Sequence, residues 1–171
     1  PARAWRPAVA ARLARTLGSA IEHRLSAGVL VESAGKVLLV RHVRPGRYDF
    51  WVAPGGGVQG QETLAAAAMR EAREETGLEV EADRLLYIEE LFEPELRICK
   101  FWYIGKYRGG TLSVAAPEAK SEHITEAAWL SRSELEDKTV FPPVLLSRYW
   151  EDRSKPQFGP VHLGLRRMEF W

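Results

Sequence analysis

Cysteine is nearly absent: Cys99 stands alone in a chain of 171 residues. A single thiol excludes an intramolecular disulfide and any zinc site built from several cysteines. It suits a reducing compartment, so a cytoplasmic location is the expectation. Long apolar runs are missing as well. None approaches the ~18 residues of a membrane-spanning helix, and no membrane partner is expected. Neither charge sign dominates. Lys and Arg number 24 against 23 for Asp and Glu, a net charge of +1, which removes the global basic footprint of a nucleic-acid binder. Internal repeats are lacking, and the longest low-complexity stretch is the run of alanines at 65–68. His23, His42, His123 and His162 show no metal-ligand spacing and receive no role. What is present is ordinary: 46% hydrophobic residues at this length suffice for one core without covalent staples.

The N-terminal stretch is basic, with Arg3, Arg6, Arg12 and Arg15 and no acid before Glu22. Val9, Leu13, Leu17 and Ala20 recur at helical spacing, so residues 1–22 are read as a basic amphipathic helix. A terminal helix with a solvated arginine face is the plain reading, against a transit segment or an anion contact. A main domain is expected over 23–153, followed by a tail over 154–171 whose alternating Val161, Leu163 and Leu165 suggest an extra strand.

Within the main domain, strands are expected at 27–31 and 36–43 across a short loop ending in Gly35. Tyr48 to Val52 is extended, and Pro54-Gly55-Gly56-Gly57 should break regular structure. Thr63 to Thr76 is rich in helix formers, with Gly77 placed to stop the helix in a left-handed conformation. Two longer strands follow at 84–92 and 97–108, then a charged loop at 115–122 and a strand at 124–130. A short helix should begin near Ser131–Glu134, and another should run from Pro142 to about Asp152. The order implies a mixed sheet covered by helices, an α/β or α+β domain.

The stretch with most chemical content is Gly55 to Leu78. Glu71, Glu74 and Glu75 are spaced i, i+3, i+4, which puts three carboxylates on one helix face. Like charges so crowded ask for a cation. Arg70 and Arg73 supply part of it, and an oxygen-only ligand set favours a hard divalent ion, Mg²⁺ or Mn²⁺. The glycines just upstream let backbone approach an ion or a phosphate closely.

With its spacing fixed, the stretch is Gly56, five residues, Glu62, seven residues, then Arg70-Glu71-Ala72-Arg73-Glu74-Glu75-Thr76-Gly77-Leu78. This resembles the Nudix hydrolase signature, G-x5-E-x7-R-E-U-x-E-E-x-G-U, in the MutT-like superfamily. Every charged and glycine position matches. Ala72 stands where the pattern prefers a larger aliphatic residue, which bears on packing rather than on ligands. The resemblance implies a mixed sheet sandwiched between helices. It also implies metal-dependent cleavage of a nucleoside diphosphate linked to another moiety. By position, Glu71, Glu74 and Glu75 resemble the metal-binding carboxylates, with the Gly56 region as a further contact. Arg70 resembles the arginine that orients them, and Glu62 a loop-to-helix organiser.

Two candidates stand for the general base, Glu122 in the later charged loop and Glu71 itself, with Glu122 preferred. Arg41, Arg44 and Arg47, just before the glycines, are candidate phosphate contacts. Tyr48, Phe50, Phe92, Trp102 and Tyr103 lie on strands and are expected mostly in the core. The partner is a small nucleotide such as ADP-ribose, a dinucleoside polyphosphate or an oxidised nucleoside triphosphate, and a homodimer is left open. Two rival functions share the fold: a nucleotide sensor without catalysis, and an isoprenoid diphosphate isomerase, which needs a cysteine in the pocket where only Cys99 is available.

Overall fold

The computed structural model describes residues 21–156 and 159–168. Residues 1–20 of the helix expected over 1–22 therefore lie outside the described residues, and Glu22 opens a strand instead. Among those described, nine strands form one mixed sheet. β1 (Glu22–Ser33) and β2 (Lys36–Arg44) form the expected hairpin. Its two-residue turn, Ala34-Gly35, has positive φ at both positions, the conformation that matches the twist of paired strands. β3 (Tyr48–Val52) follows β2 across a turn in which the Arg47 amide donates to the Arg44 carbonyl.

The triple glycine does not simply break the chain. Gly55–Gly57 forms a three-residue strand, β4, antiparallel to β1, with Gly28 opposite Gly55 and Ala27 opposite Gly56. Only glycine permits this approach. A Cβ on Gly55 would lie 2.3 Å from the Gly28 Cα, and one on Gly28 would lie 2.4 Å from the Trp102 ring. Sequence reasoning missed the strand because a glycine run normally signals lost order, whereas here close backbone contact uses the missing side chains.

Helix α1 (Leu64–Thr76) forms as expected. Thr63 caps it by accepting from the Ala66 amide at 3.1 Å, and Gly77 ends it at φ 70°. β5 (Leu78–Glu93) and β6 (Leu96–Gly110) are longer than their sequence pattern suggested. The charged segment 115–122 contains a short helix, α2 (Pro117–Ser121), rather than loop alone. β7 (Ile124–Ser131) pairs with β2, and a two-residue strand, β8 (Val140–Phe141), pairs in parallel with β3. The helix expected from Pro142 to Asp152 is split. A 3-10 turn at Pro143–Leu146 gives way at Ser147 (φ −133°, ψ −108°) to α3 (Tyr149–Asp152). β9 (Val161–Arg167), the strand suggested in the tail, joins the same sheet in parallel with β5.

Alternation along β1 and β2 builds a core on each face of the sheet. Val29, Val31 and Leu38 meet Ala67, Ala68 and Ala72 of α1. Leu30 and Leu39 meet Trp102, Tyr87, Leu145 and Tyr149 on the other face. That second face is covered by the 3-10 turns and α3 rather than by a long helix. Ala72 is fully buried, so its small size lets α1 lie close to the strands.

Candidate active site

The buried stripe of α1 is Ala67, Ala68, Glu71, Ala72, Glu75 and Thr76. Two carboxylates thus lie along the packed face of the helix rather than opposite it. Glu71 is 5% exposed and Glu75 3%, against the usual rule that such side chains stay in water. The glycine strand faces them. The Gly55 amide donates to Glu75 Oε2 at 3.2 Å, and a Cβ on Gly56 would sit 2.6 Å from the Glu71 carboxylate. The Gly56 carbonyl accepts from Ser26 Oγ at 2.7 Å.

Arg70 organises the acidic side. Its five N–H groups donate to both oxygens of Glu62, to Glu71 Oε1, to Glu74 Oε2 and to the Gly57 carbonyl, at 2.8–3.1 Å. Glu62 also accepts from the Gln59 amide at 2.7 Å, which ties the loop after β4 to the helix. Among the described residues, no three His, Cys, Asp or Glu side chains are drawn together as a ready ligand set. Glu71 and Glu74 are instead turned onto Arg70.

Glu122 comes from across the site, on the residue after α2. It keeps an exposed edge. Desolvation by the surrounding protein still raises its carboxyl, with Lys100 and Arg70 opposing and Glu74 adding to the effect. Burial pushes Glu71 up, Arg70 opposes this, and Glu122 and Glu74 add to it. Glu75 is raised furthest in character, by burial first and then by Glu122 and Glu71. Glu122 acts to raise both Glu71 and Glu75, and Glu71 to raise Glu75, so the place is short of positive charge. An oxygen-only donor set with a glycine cradle fits a hard divalent cation.

Lys100 was not singled out from the sequence. It is partly buried on β6, lies 4.5 Å over the Trp102 ring, and donates to the Gly55 carbonyl at 3.1 Å. Gly55 is therefore held from both sides, by Glu75 at its N–H and by Lys100 at its C=O. Burial lowers the Lys100 ammonium, while Glu75, Glu89, Glu71 and Glu122 act to hold its proton. The signal was present: a lone lysine in the apolar run Ile98-Cys99-Lys100-Phe101-Trp102. Glu89, 3% exposed, accepts from Trp102 Nε1 at 3.1 Å and from Arg166 on β9 at 2.9 Å. Arg166 in turn lies 4.7 Å over the Phe141 ring. Beside these residues is a cavity of about 390 Å³ lined by Glu89, Val144, Arg148, His162, Leu163 and Arg166 among others.

The three arginines expected at phosphates sit apart from this group. Arg41 pairs with Asp49 at 2.8 Å and with Glu126 at 3.5 Å, and Arg44 and Arg47 are exposed on the β2–β3 turn. Phe50 and Trp102 are buried as expected of strand aromatics, whereas Phe92 is exposed. Cys99 is half-buried and lines a different cavity, with His23, Arg24, Leu25, Glu90 and Arg97.

A buried carboxylate stripe on one helix, held by a five-bonded arginine against a glycine strand of a mixed α+β sheet, defines a family-level arrangement. The chain belongs to the NUDIX family: the family model for the NUDIX domain matches residues 22–149. It is 32% identical over 107 residues to the 8-oxo-dGDP phosphatase NUDT18 of Homo sapiens, covering 63% of this chain and 32% of that protein. It is 26% identical over 140 residues to Nudix hydrolase 2 of Arabidopsis thaliana, covering 80% of this chain and 49% of that one. The chain thus spans about a third to a half of the length of these relatives. An ADP-ribose pyrophosphatase from Streptococcus suis matches the fold with a TM-score of 0.62 at 19% identity, over 81% of this chain and 98% of its own. A MutT protein from Methanosarcina mazei Go1 matches with a TM-score of 0.64 at 21% identity, over 79% and 98%.

Proposed function

We propose that the chain is a divalent-cation-dependent hydrolase that cleaves the pyrophosphate linkage of a nucleoside diphosphate derivative. One observation carries this reading: the buried carboxylates Glu71 and Glu75 meet the glycine strand, Glu75 at the Gly55 amide and Glu71 against Gly56, with Lys100 on the Gly55 carbonyl. Family membership and the resemblance to NUDT18 support a nucleotide substrate, with an oxidised nucleoside diphosphate, ADP-ribose and a dinucleoside polyphosphate as the classes to test first. The working unit is read as residues 23–153 together with β9, which completes the sheet.

Glu71 and Glu75 would hold Mg²⁺ or Mn²⁺, with Glu74 and the Gly56 carbonyl completing the donor set. When bound, such an ion neutralises phosphate oxygens and lowers the pKa of an attacking water. Arg70 orients the ligand carboxylates through its fixed fork of donors. Glu122 is read as the proton acceptor, since it reaches the cluster from a loop and is not bound by Arg70. Lys100 balances charge at the rear of the site. Arg44 and Arg47 remain candidates for contact with the outer part of the substrate. Arg41 is read as a brace of the β2–β3 hairpin. The cavity beside Glu89 and Arg166 suits the moiety beyond the phosphates. Cys99 points to a cavity that none of the four glutamates lines, which removes the residue an isomerase reading requires.

The test is hydrolysis of 8-oxo-dGDP, ADP-ribose and diadenosine polyphosphates, with and without chelator. Activity should vanish in chelator and return with Mg²⁺ or Mn²⁺. Full activity in chelator, or turnover of none of these classes, would refute the reading. Glu75→Gln should weaken metal binding and be partly rescued by excess Mg²⁺. Glu122→Gln should lose roughly 10²–10⁴-fold in rate with no rescue, the signature of a lost base. A dead Glu71→Gln at saturating metal beside a normal Glu122→Gln moves the base to Glu71.

A further inference from the structure

His42 lies near the end of β2 and is 5% exposed. Its ring stacks on Phe50 at 5.1 Å between centroids, with the planes 11° apart. Its Nδ1 lies 2.9 Å from the backbone carbonyl of Glu122, 80 residues away in sequence. A carbonyl only accepts, so Nδ1 carries the hydrogen. The next amide along β2, that of Val43, donates to the His123 carbonyl at 3.0 Å. His123 itself has φ 59°, a left-handed turn that few side-chain-bearing residues adopt. The β2–β7 register also shifts between Arg41 and His42, opposite the start of β7. Two successive residues of β2 thus grip two successive carbonyls at the point where the chain turns from α2 into β7. The Glu122 side chain leaves the backbone at that grip.

We propose that His42 is a positioning residue for Glu122: its Nδ1–H bond to the Glu122 carbonyl holds the α2–β7 junction in the turn that sets the Glu122 carboxylate at the acidic cluster. The inference rests on Glu122 being the proton acceptor. His42 is buried, and on this reading it acts through the backbone alone. Phe50 keeps the imidazole plane fixed, so the bond direction is fixed with it.

The experiment compares His42→Phe, which keeps a flat ring on Phe50 but has no donor, with His42→Asn, which keeps a donor near the Nδ1 position. Both are read in the full chain, beside Glu122→Gln and the double variant. Hydrogen–deuterium exchange over residues 117–124 needs no substrate. It should rise in His42→Phe, stay near wild type in His42→Asn, and be unchanged in α1 in both. With 8-oxo-dGDP or ADP-ribose at saturating Mg²⁺, His42→Phe should lose at least tenfold in kcat, with KM and the Mg²⁺ half-saturation unchanged. His42→Asn should stay within about threefold of wild type. The double variant should be no slower than Glu122→Gln alone, because a residue that acts only through Glu122 has nothing left to position. Unchanged exchange over 117–124 in a folded His42→Phe overturns the proposal, and so does additivity in the double variant. A normal rate in Glu122→Gln overturns the base assignment and this proposal together. A dead Glu122→Gln beside a fully active His42→Phe overturns this proposal alone.

Discussion

Arg70 shows how much one side chain can organise when every donor is engaged. Its guanidinium reaches Glu62 in the loop, Glu71 and Glu74 on its own helix, and the Gly57 carbonyl. Arg70→Ala should weaken Mg²⁺ half-saturation and turnover by roughly 10–100-fold, the usual size of a lost orienting contact. Arg70→Lys should recover little of this, because three donors on a flexible stem cannot replace five in a planar fork. A wild-type metal titration in Arg70→Lys would show that charge alone is needed. His42 carries a separate consequence for stability. Burial holds its imidazole down to about 4, against 6.5 for the free side chain. Between these values the unfolded chain binds a proton that the folded chain refuses, so stability should fall as pH drops from about 6.5 to 4 and level off below. The full loss from this one group is on the order of 3 kcal/mol. Denaturant midpoints at pH 7 and pH 4.5 should converge in His42→Asn relative to wild type. An equal pH slope in both proteins would assign the acid sensitivity elsewhere.

At the scale of elements, β4 and α1 form one unit whose two halves are six residues apart in sequence. The helix was legible because Ala, Leu, Met, Arg and Glu favour it and Thr63 and Gly77 punctuate it. The carboxylate spacing was legible for the same reason. Which carboxylates are buried was not, since burial is decided by where β1 and β4 pass. The glycine strand was misread because its pairing partner, Ser26 to Gly28, lies some thirty residues upstream and a local pattern cannot show it. Gly56→Ala tests the unit directly. Gly56 does not need a left-handed backbone, so the fold should survive, but the new Cβ would overlap the Glu71 carboxylate at 2.6 Å. We expect a thermal midpoint near wild type together with a Mg²⁺ half-saturation at least tenfold weaker. Intact metal response would mean that Glu71 can retreat without loss. The helix from Pro142 to Asp152 failed as a reading because two prolines start a turn well but do not ensure its continuation. Trp150 Nε1 donates to the Leu145 carbonyl at 2.7 Å, closing the break that Ser147 opens.

Across the whole molecule, polar clasps join α3 and its flanks to β1 and β5. Tyr149, fully buried in α3, donates to Glu32 Oε1 of β1 at 2.7 Å, and Arg153 pairs with the same carboxylate. Tyr87 of β5 donates to Asp152 at 3.0 Å, and Asp152 also takes Arg148. Tyr149→Phe removes one hydrogen bond to a charged group and should cost about 2 kcal/mol. The thermal midpoint should then fall by roughly 4–8 °C. Activity at 25 °C should be unchanged, since neither Tyr149 nor Glu32 bonds to the glutamates of α1 or lines the cavity beside Glu89. A lost metal response in this variant would show that the clasp and the site are coupled.

The sequence by itself determined the family signature, because its residues lie in one short stretch with fixed spacing from one to the next: Gly56, Glu62, Arg70, Glu71, Glu74, Glu75. It determined the main helix and most strands, because propensity and periodicity act over a few residues. The sequence also offered Glu122 as a loop carboxylate, but tertiary structure alone decided what surrounds it and brought in Lys100 and His42. Lys100, Glu122 and His42 lie 22 to 80 residues apart in the chain, and no local pattern joins them. Only the parallel pairing of β1 with β6 and the antiparallel pairing of β2 with β7 bring Lys100 and Glu122 to the glutamates of α1. The surroundings of these three residues are set by burial and by the charges around them, and both belong to the folded chain.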